Sequence, residues 1–125
     1  MALYWPFAMA LQIDQTVHAS GATVYKLSGR LTAGLEATTL EVAIEKSYAA
    51  GVLRIVVDMK EIYYVDSSGL GALISALSKL KKASGALRLA CVDERVVKIM
   101  KLTKLDTIFP MDDSVHEACL RIGGV

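Results

Sequence analysis

Residues 52–57, Val-Leu-Arg-Ile-Val-Val, constrain the fold more than any other stretch of the chain. A nearly continuous aliphatic run is typical of a strand that is covered on both faces, as in a parallel or mixed sheet. A polar turn follows, and then come apolar residues at the spacing of one helix face: Leu70, Leu73, Ile74, Leu77 and Leu80. A buried strand followed by an amphipathic helix is the repeating unit of α/β proteins, so we predict an α/β fold.

The rest of the chain alternates between predicted strands and helices. Alternating residues around Ser20-Gly21 predict a β-hairpin, and Gly51 is placed to end the first helix. A strand at residues 87–91, a short helix that Asp93 caps, an extended piece at residues 108–109 and a last helix follow. Asp112 or Asp113 is expected to cap that last helix. The predicted order is ββαβαβαβα in a single domain, with a mixed, mostly parallel central sheet and about four helices.

The turn between the central strand and its helix is the candidate functional site. Ser67 is a natural N-cap, because its hydroxyl can accept a backbone N–H of the first helical turn. Gly69 and Gly71 follow, and each lowers helix stability by up to roughly 1 kcal/mol relative to alanine. Glycine leaves room for a close neighbour, so we expect something outside the helix to approach this turn. The N-terminus of a helix also favours an anion such as a phosphate.

The hexapeptide Asp66-Ser67-Ser68-Gly69-Leu70-Gly71 resembles the signature of the STAS family, the bacterial anti-sigma factor antagonists. The order of elements is similar to that family over residues 9–122. In the family, the first serine after the aspartate is phosphorylated by a partner kinase, so the resemblance implies that Ser67 is the phosphoacceptor. It also implies that the partner contacts Asp66, Ser68, Gly69, Leu70 and Gly71, together with Thr32. The family commonly has an acidic residue where Thr32 stands. This departure from the family pattern weakens the expectation that the chain pairs with its kinase in the usual way, and it leaves the predicted fold unchanged.

The amino-terminal residues are expected to lie outside the domain. Residues 1–8 carry Tyr4, Trp5 and Phe7 and are predicted to form an extension, with the STAS domain over residues 9–125. Met-Ala-Leu occurs at residues 1–3 and again at 9–11, so either methionine could be the translation start. The segment lacks a basic region, and Pro6 interrupts its short apolar stretch, which argues against a secretory signal.

Charge and composition exclude several classes of protein. The formal net charge of +1 gives no electrostatic basis for binding nucleic acid or an anionic membrane surface. No apolar run approaches the ~20 residues that a membrane-spanning helix needs. Cys91 and Cys119 lie among apolar neighbours and are predicted to be buried free thiols, as expected in a reducing cytosol. We therefore expect a cytoplasmic protein.

The sequence does not favour catalysis or a bound cofactor. A nucleophile elbow needs glycine two positions before its serine, and Val65 stands there before Ser67. Ile74 occupies the third glycine position of a dinucleotide-binding fingerprint. His18 and His116 are predicted surface residues, and with two apolar cysteines they form no metal-ligand cluster. Three lysines at a spacing of three are interpreted as a solvated helix face: Lys98, Lys101 and Lys104.

The resulting hypothesis is a phospho-switch adaptor without catalytic activity of its own. By the resemblance, the unphosphorylated form binds an anti-sigma factor that is also a serine kinase, and so frees the sigma factor. Phosphorylation of Ser67 ends that binding, and a serine phosphatase restores it. ATP belongs to the kinase, so no cofactor is expected here. The alternative is a STAS accessory subunit of a lipid-transporting ABC system or a component of a stress-signalling scaffold.

Overall fold

The computed structural model describes residues 11–123 as alternating strands and helices in the predicted order. Each predicted element is present within this range, although the bounds of several differ. The elements are β1 (Leu11–Val17), β2 (Thr23–Leu31), α1 (Leu35–Ala49), β3 (Arg54–Val65), α2 (Ser67–Lys82), β4 (Ala86–Ala90), α3 (Glu94–Leu102), β5 (Met111–Asp112) and α4 (Val115–Gly123).

The five strands form one mixed sheet in the order β1-β2-β3-β4-β5. β1 runs antiparallel to β2, with Leu11 opposite Gly29 and Val17 opposite Thr23. The pairs β2–β3, β3–β4 and β4–β5 are parallel, because a helix crosses over between the two strands of each pair. The predicted fold class, a mixed and mostly parallel sheet with four helices, is therefore confirmed.

The central strand β3 separates two hydrophobic cores. Ile55 and Val57 point into the larger core, which α1, α2 and α3 cover, and both are fully buried. Val56 points the other way, towards Ala118 and Cys119 of α4. This double coverage explains why residues 52–57 show continuous rather than alternating hydrophobicity. Three of the helices thus lie on one face of the sheet and α4 lies on the other.

Strand β3 is longer than the sequence predicts. The aliphatic run indicated a strand that ends at Val57, whereas β3 continues for 12 residues to Val65. It pairs with β4 only as far as Asp58, but with β2 as far as Val65, which lies opposite Leu31. Two irregularities in the β2–β3 register each insert one extra residue of β3. The strand therefore projects beyond β4 and ends directly at the predicted site.

The predicted end of α1 is confirmed. Gly51 has φ +85°, and its N–H donates to the carbonyl of Tyr48 at 3.0 Å. The N–H of Val52 donates to the carbonyl of Ser47 at 2.9 Å, which completes a Schellman motif. The backbone conformation that this motif needs is one that glycine adopts at no steric cost.

Two predictions about the last elements are wrong. Strand β5 follows Pro110 instead of ending at it, because residues 108–109 lie in a turn. The cap of α4 is Ser114, whose hydroxyl accepts the N–H of Glu117 at 3.1 Å. Asp112 has a different role, because its side chain is fully buried and accepts hydrogen bonds from two arginines.

The carboxylate of Asp112 ties together β4, β5 and α4. Arg88 donates from Nε to Oδ2 at 2.6 Å and from Nη2 to Oδ1 at 3.2 Å. Arg121 donates from Nη1 to Oδ1 at 2.8 Å. The hydrogen bond from Arg88 is the main reason that the pKa of Asp112 lies below its usual value, and it outweighs the effect of burial. The ion pairs join three elements that meet at the edge of the sheet.

Candidate functional site

The candidate site lies at the carboxyl-terminal ends of the parallel strands β2 and β3. Leu31 and Val65 are paired in register there, and both are buried. The chain leaves β2 into the loop that precedes α1, and it leaves β3 directly into α2. Because the two strands are parallel, both connections leave from the same end of the sheet, which places Thr32 and Asp66 close together.

Asp66, and not Ser67, is the N-cap of α2. Its Oδ1 accepts the N–H of Gly69 at 2.9 Å, and its Oδ2 accepts the N–H of Ala33 at 2.8 Å. The carboxylate thus links the first turn of α2 to the loop after β2. The hydrogen bond from Gly69 is the largest cause of the lowered pKa of Asp66, so this side chain is a carboxylate at neutral pH.

Ser67 and Ser68 are the first two residues of α2, and both are exposed. Within residues 11–123, neither hydroxyl forms a hydrogen bond with the protein. The expectation that the Ser67 hydroxyl caps the helix is therefore wrong, since Asp66 accepts the N–H that such a cap would bind. The Ser67 hydroxyl is instead accessible to another molecule, which is what a group-transfer site requires.

Position 69 requires a glycine because another part of the same chain lies directly against it. A Cβ atom there would lie 2.0 Å from the carbonyl oxygen of Leu31 and 2.8 Å from its carbonyl carbon. The close neighbour that the sequence predicts is thus the end of β2, and Gly69 is buried against it. Leu70 is buried too and packs in the larger core. Both residues are buried within the fold, and their predicted contact with a partner stays a prediction.

Gly71 differs from Gly69, although only one residue separates them. It is half-buried, and a Cβ atom there would meet no atom within 4 Å among the described residues. Nothing within the described fold therefore explains the glycine at this position. Gly71 remains accessible beside the exposed serines, as the predicted contact with a partner requires.

Thr32 follows the last residue of β2 and lies next to the Asp66 cap. Its hydroxyl donates to Oε1 of Glu36 at 2.6 Å, and its carbonyl accepts the N–H of Ala37 at 3.0 Å. The hydroxyl therefore holds a carboxylate of the first turn of α1 close to the end of β2. Glu36 and Ala33 were not predicted as site residues. Ala33 contributes only a backbone N–H, so no side-chain pattern could have indicated it.

Tyr63 and Tyr64 were also not predicted as site residues. Both belong to the end of β3, and about half of each side chain is exposed, 53% and 48% respectively. The guanidinium of Arg95 lies 5.4 Å from the centroid of the Tyr63 ring. The signal available in the sequence was a pair of large aromatic residues shortly before the polar turn of the site.

The other reactive residues lie away from Ser67. His18 is in the turn that joins β1 to β2, at the opposite end of a strand of nine residues, roughly 25 Å long. Its ring centroid is 5.7 Å from that of His116. Cys119 is buried as predicted, but Cys91 is only half-buried, and both thiols are free. Among residues 11–123, no three side chains of metal-ligand type come together.

Comparison with known proteins decides the family. The model of the STAS domain family matches residues 13–118, which is most of the chain. The chain belongs to the STAS domain family. The anti-sigma F factor antagonist of Paenibacillus polymyxa is 27% identical over 109 residues, which cover 85% of this chain and 90% of that protein. Alignments with two other curated antagonists are shorter and cover 66% and 46% of those proteins.

Solved structures of SpoIIAA and of another anti-sigma factor antagonist share the fold. An anti-sigma factor antagonist from Mycobacterium paratuberculosis matches with a TM-score of 0.77 and 24% identity, over 90% of this chain and 93% of that one. The antagonist SpoIIAA matches in its unphosphorylated form with a TM-score of 0.70 and 18% identity, over 91% of this chain and all of that one. SpoIIAA of Bacillus in its phosphorylated form gives the same TM-score at 20% identity, over 89% of this chain and 99% of that one.

The STAS domain described here contains no candidate membrane span. No helix within residues 11–123 is both long enough and apolar enough to cross a bilayer.

Proposed function

We propose that this STAS domain is a phospho-switch adaptor of the anti-sigma factor antagonist type. Its unphosphorylated form binds an anti-sigma factor that is also a serine kinase. Transfer of the γ-phosphoryl group of the kinase's ATP to the Ser67 hydroxyl ends the binding, and hydrolysis of the phosphoserine by a phosphatase restores it. The chain works in the cytoplasm and catalyses no reaction itself, in keeping with a family that is generally non-enzymatic.

The observation that carries this proposal is the exposure of Ser67 next to Asp66, whose carboxylate holds the turn in place. The serine occupies the first position of α2, with a hydroxyl that no protein group engages among the described residues. Asp66 fixes the turn on both sides, through Gly69 and Ala33. A rigid turn with a free hydroxyl suits a kinase, because the acceptor is presented in one geometry.

The named relatives support the same role. Curated relatives of this chain are anti-sigma factor antagonists, and SpoIIAA is known in both phosphorylation states. This chain has the same TM-score to the two forms, so the fold is compatible with phosphorylation. The proposed contact surface comprises Ser67, Ser68 and Gly71, which are accessible, with Asp66 and Thr32 at its border.

A phosphorylation experiment tests the site. The chain is incubated with ATP and the anti-sigma factor kinase of the same organism, and its peptides are mapped by mass spectrometry. We expect one phosphate on Ser67, no labelling of Ser67→Ala, and full labelling of the neighbouring control Ser68→Ala. Labelling that persists in Ser67→Ala and disappears in Ser68→Ala would show that the acceptor is misassigned.

Calorimetry then tests the switch. Ser67→Ala is expected to bind the kinase as the wild type does, whereas the phosphorylated chain binds about two orders of magnitude more weakly. The reason is that an unmatched anion costs several kcal/mol when it is desolvated, and 1.4 kcal/mol is a tenfold loss of affinity. Equal affinity of both forms would refute the switch. Capture of a lipid-transporter subunit, with the same affinity for Ser67→Asp, would favour the accessory-subunit alternative.

A further inference from the structure

Strand β1 forms one edge of the sheet, and its outer side has no partner within the described part of the chain. All seven of its residues pair with β2, and the register has no irregularity. Among residues 11–123, no backbone hydrogen bond joins this strand to a segment other than β2. The opposite edge differs, because β5 has only two residues and α4 packs against it.

The β1 edge lacks the features that usually keep an edge strand from pairing with another chain. Such strands are typically very short, or carry proline, lysine or a bulge. Within residues 11–17 there is no proline and no lysine, and Asp14 is the one charged residue. Val17 is apolar and yet 74% exposed. A regular, weakly charged edge of this length is suited to pairing with a further strand.

The hairpin determines which backbone groups point outward. The N–H of His18 donates to the carbonyl of Ala22 at 2.9 Å, so the backbone of His18 faces β2. Residues of an antiparallel ladder face the partner strand alternately. Within residues 13–17, those at odd positions therefore direct their N–H and C=O groups outward: Ile13, Gln15 and Val17.

The same residues restrict how two copies of this edge can pair. A two-fold axis that continues the sheet makes the two β1 strands antiparallel and places the axis at one residue of the strand. An axis at Asp14 would put two carboxylates directly opposite each other, which is destabilising. An axis at Ile13 leaves Val17 beyond the paired part of residues 11–17. An axis at Gln15 pairs Val17 with Ile13, and Asp14 with Thr16.

We propose that two copies of this chain associate through β1, with Gln15 on the two-fold axis, and form one continuous sheet with five strands from each copy. Gln15 exchanges two backbone hydrogen bonds with Gln15 of the second copy, because both face outward. Ile13 and Val17 of the second copy do the same. Ile13 already packs against the larger core, so the Val17 side chain of the second copy extends that apolar surface.

This association does not depend on the proposed function, and it leaves Ser67 accessible. The start of β1 lies beside the carboxyl-terminal part of β2, since Leu11 is opposite Gly29. The paired residues 13–17 extend from there towards the other end of the sheet. Because the two-fold axis reverses every strand, the two Ser67 turns lie at opposite ends of the shared sheet.

Sedimentation equilibrium of the full chain tests the association. We expect a reversible monomer–dimer equilibrium over a roughly hundredfold concentration range up to about 0.5 mM, because an edge contact of this length is a small interface. Val17→Lys should raise the dimer dissociation constant about tenfold or more, since it replaces both apolar pairs by a cation. Leu102→Lys is the control, because it makes the same kind of change at an exposed apolar residue of α3, 84% exposed. Circular dichroism shows that each variant is folded.

Cysteine cross-linking tests the position of the axis. Gln15→Cys and Gln12→Cys are each made together with Cys91→Ser, which removes the half-buried native thiol. With the axis at Gln15, the two Cα atoms of residue 15 lie about 5.5 Å apart. The two copies of residue 12 are separated by six residues along the strands, roughly 20 Å. A short bifunctional thiol reagent should therefore cross-link Gln15→Cys at least tenfold faster than Gln12→Cys.

Three results would overturn the proposal. The first is a chain that stays monomeric at every concentration. The second is a dimer that Val17→Lys weakens no more than Leu102→Lys does, which would place the interface on another surface. The third is cross-linking of Gln12→Cys as fast as that of Gln15→Cys, which would exclude antiparallel pairing about Gln15.

Discussion

Replacement of Gly69 by alanine should destabilise this domain, although alanine is the better helix former. The new Cβ would lie 2.0 Å from the Leu31 carbonyl oxygen and 2.9 Å from Cγ of the same residue. Ordinary carbon contacts begin near 3.5 Å, so α2 and the end of β2 must separate by more than about 1 Å. That separation strains the hydrogen bond from Ala33 to Asp66, at 2.8 Å, and the one from Asp66 to the Leu31 carbonyl, at 3.3 Å.

The magnitude follows from three contributions. Overpacking of a fitted contact costs about 1–3 kcal/mol. Weakening of the two hydrogen bonds adds about 0.5–1.5 kcal/mol for each bond that is lost. The higher helix propensity of alanine returns up to about 1 kcal/mol. We expect Gly69→Ala to lower the free energy of unfolding by roughly 2–3 kcal/mol.

Gly71→Ala is the matched control, because no described atom outside its chain neighbours and the backbone of its own helix lies within 4 Å of its Cβ position. It should be neutral or stabilise the domain by up to about 1 kcal/mol. Urea unfolding followed by circular dichroism separates the two, since a slope of about 1–3 kcal/mol/M turns this difference into a midpoint shift of about 1 M or more. If Gly69→Ala were as stable as Gly71→Ala, the contact with Leu31 would not be the reason for the glycine.

Other predictions concern stability. Asp112→Asn should lower the free energy of unfolding by about 3 kcal/mol, because Arg88 and Arg121 lose a buried carboxylate. Asp113→Asn, at the exposed neighbouring position, is the control and should change it by less than about 0.5 kcal/mol. The folded pKa of Asp112 lies below the unfolded value of about 3.9, so its contribution is complete above that pH and is lost as the pH falls through the folded pKa. The free energy of unfolding of Asp112→Asn should therefore fall less steeply than that of the wild type as the pH is lowered in the acid range. Deletion of residues 1–8 should lower the free energy of unfolding in urea by less than about 2 kcal/mol, the scale of one large buried side chain; a larger loss would place the segment in the core. Tyr25→Phe should cost about 1 kcal/mol in the same assay, because the buried hydroxyl bonds Ser47 and the Ala43 carbonyl.

The order of the elements was predictable because local signals agree with the tertiary fold. Gly51 ends α1 in the left-handed conformation that only a glycine adopts easily, and Asp93 caps α3 as predicted. The aliphatic residues of β3 indicated a strand covered on both faces, and the two cores on either side of it account for that pattern. Each of these features leaves its signal in consecutive residues, so sequence patterns report them.

The geometry of the site was not predictable in the same way, because it depends on residues distant in sequence. Aspartate and serine are both good caps, so the choice between Asp66 and Ser67 depends on where β3 ends. That end is set by pairing with β2 as far as Leu31, through two register irregularities. The reason for Gly69 is again Leu31, and no local pattern relates the two positions.

The position of Asp66 also determines what a phosphate on Ser67 would encounter. The N–H of Gly69, which a phosphate could otherwise use, already donates to Asp66. A phosphoserine would therefore bring about −1.5 to −2 charges next to a carboxylate whose lowered pKa keeps it ionised. At about 5 Å in water, this repulsion amounts to roughly 1–2 kcal/mol, which is small beside a folding stability of about 5–15 kcal/mol. A partner that covers the turn must instead desolvate both anions, at several kcal/mol. Phosphorylation should therefore weaken binding far more than it weakens the fold, and a melting temperature that falls as steeply as the affinity would contradict this account.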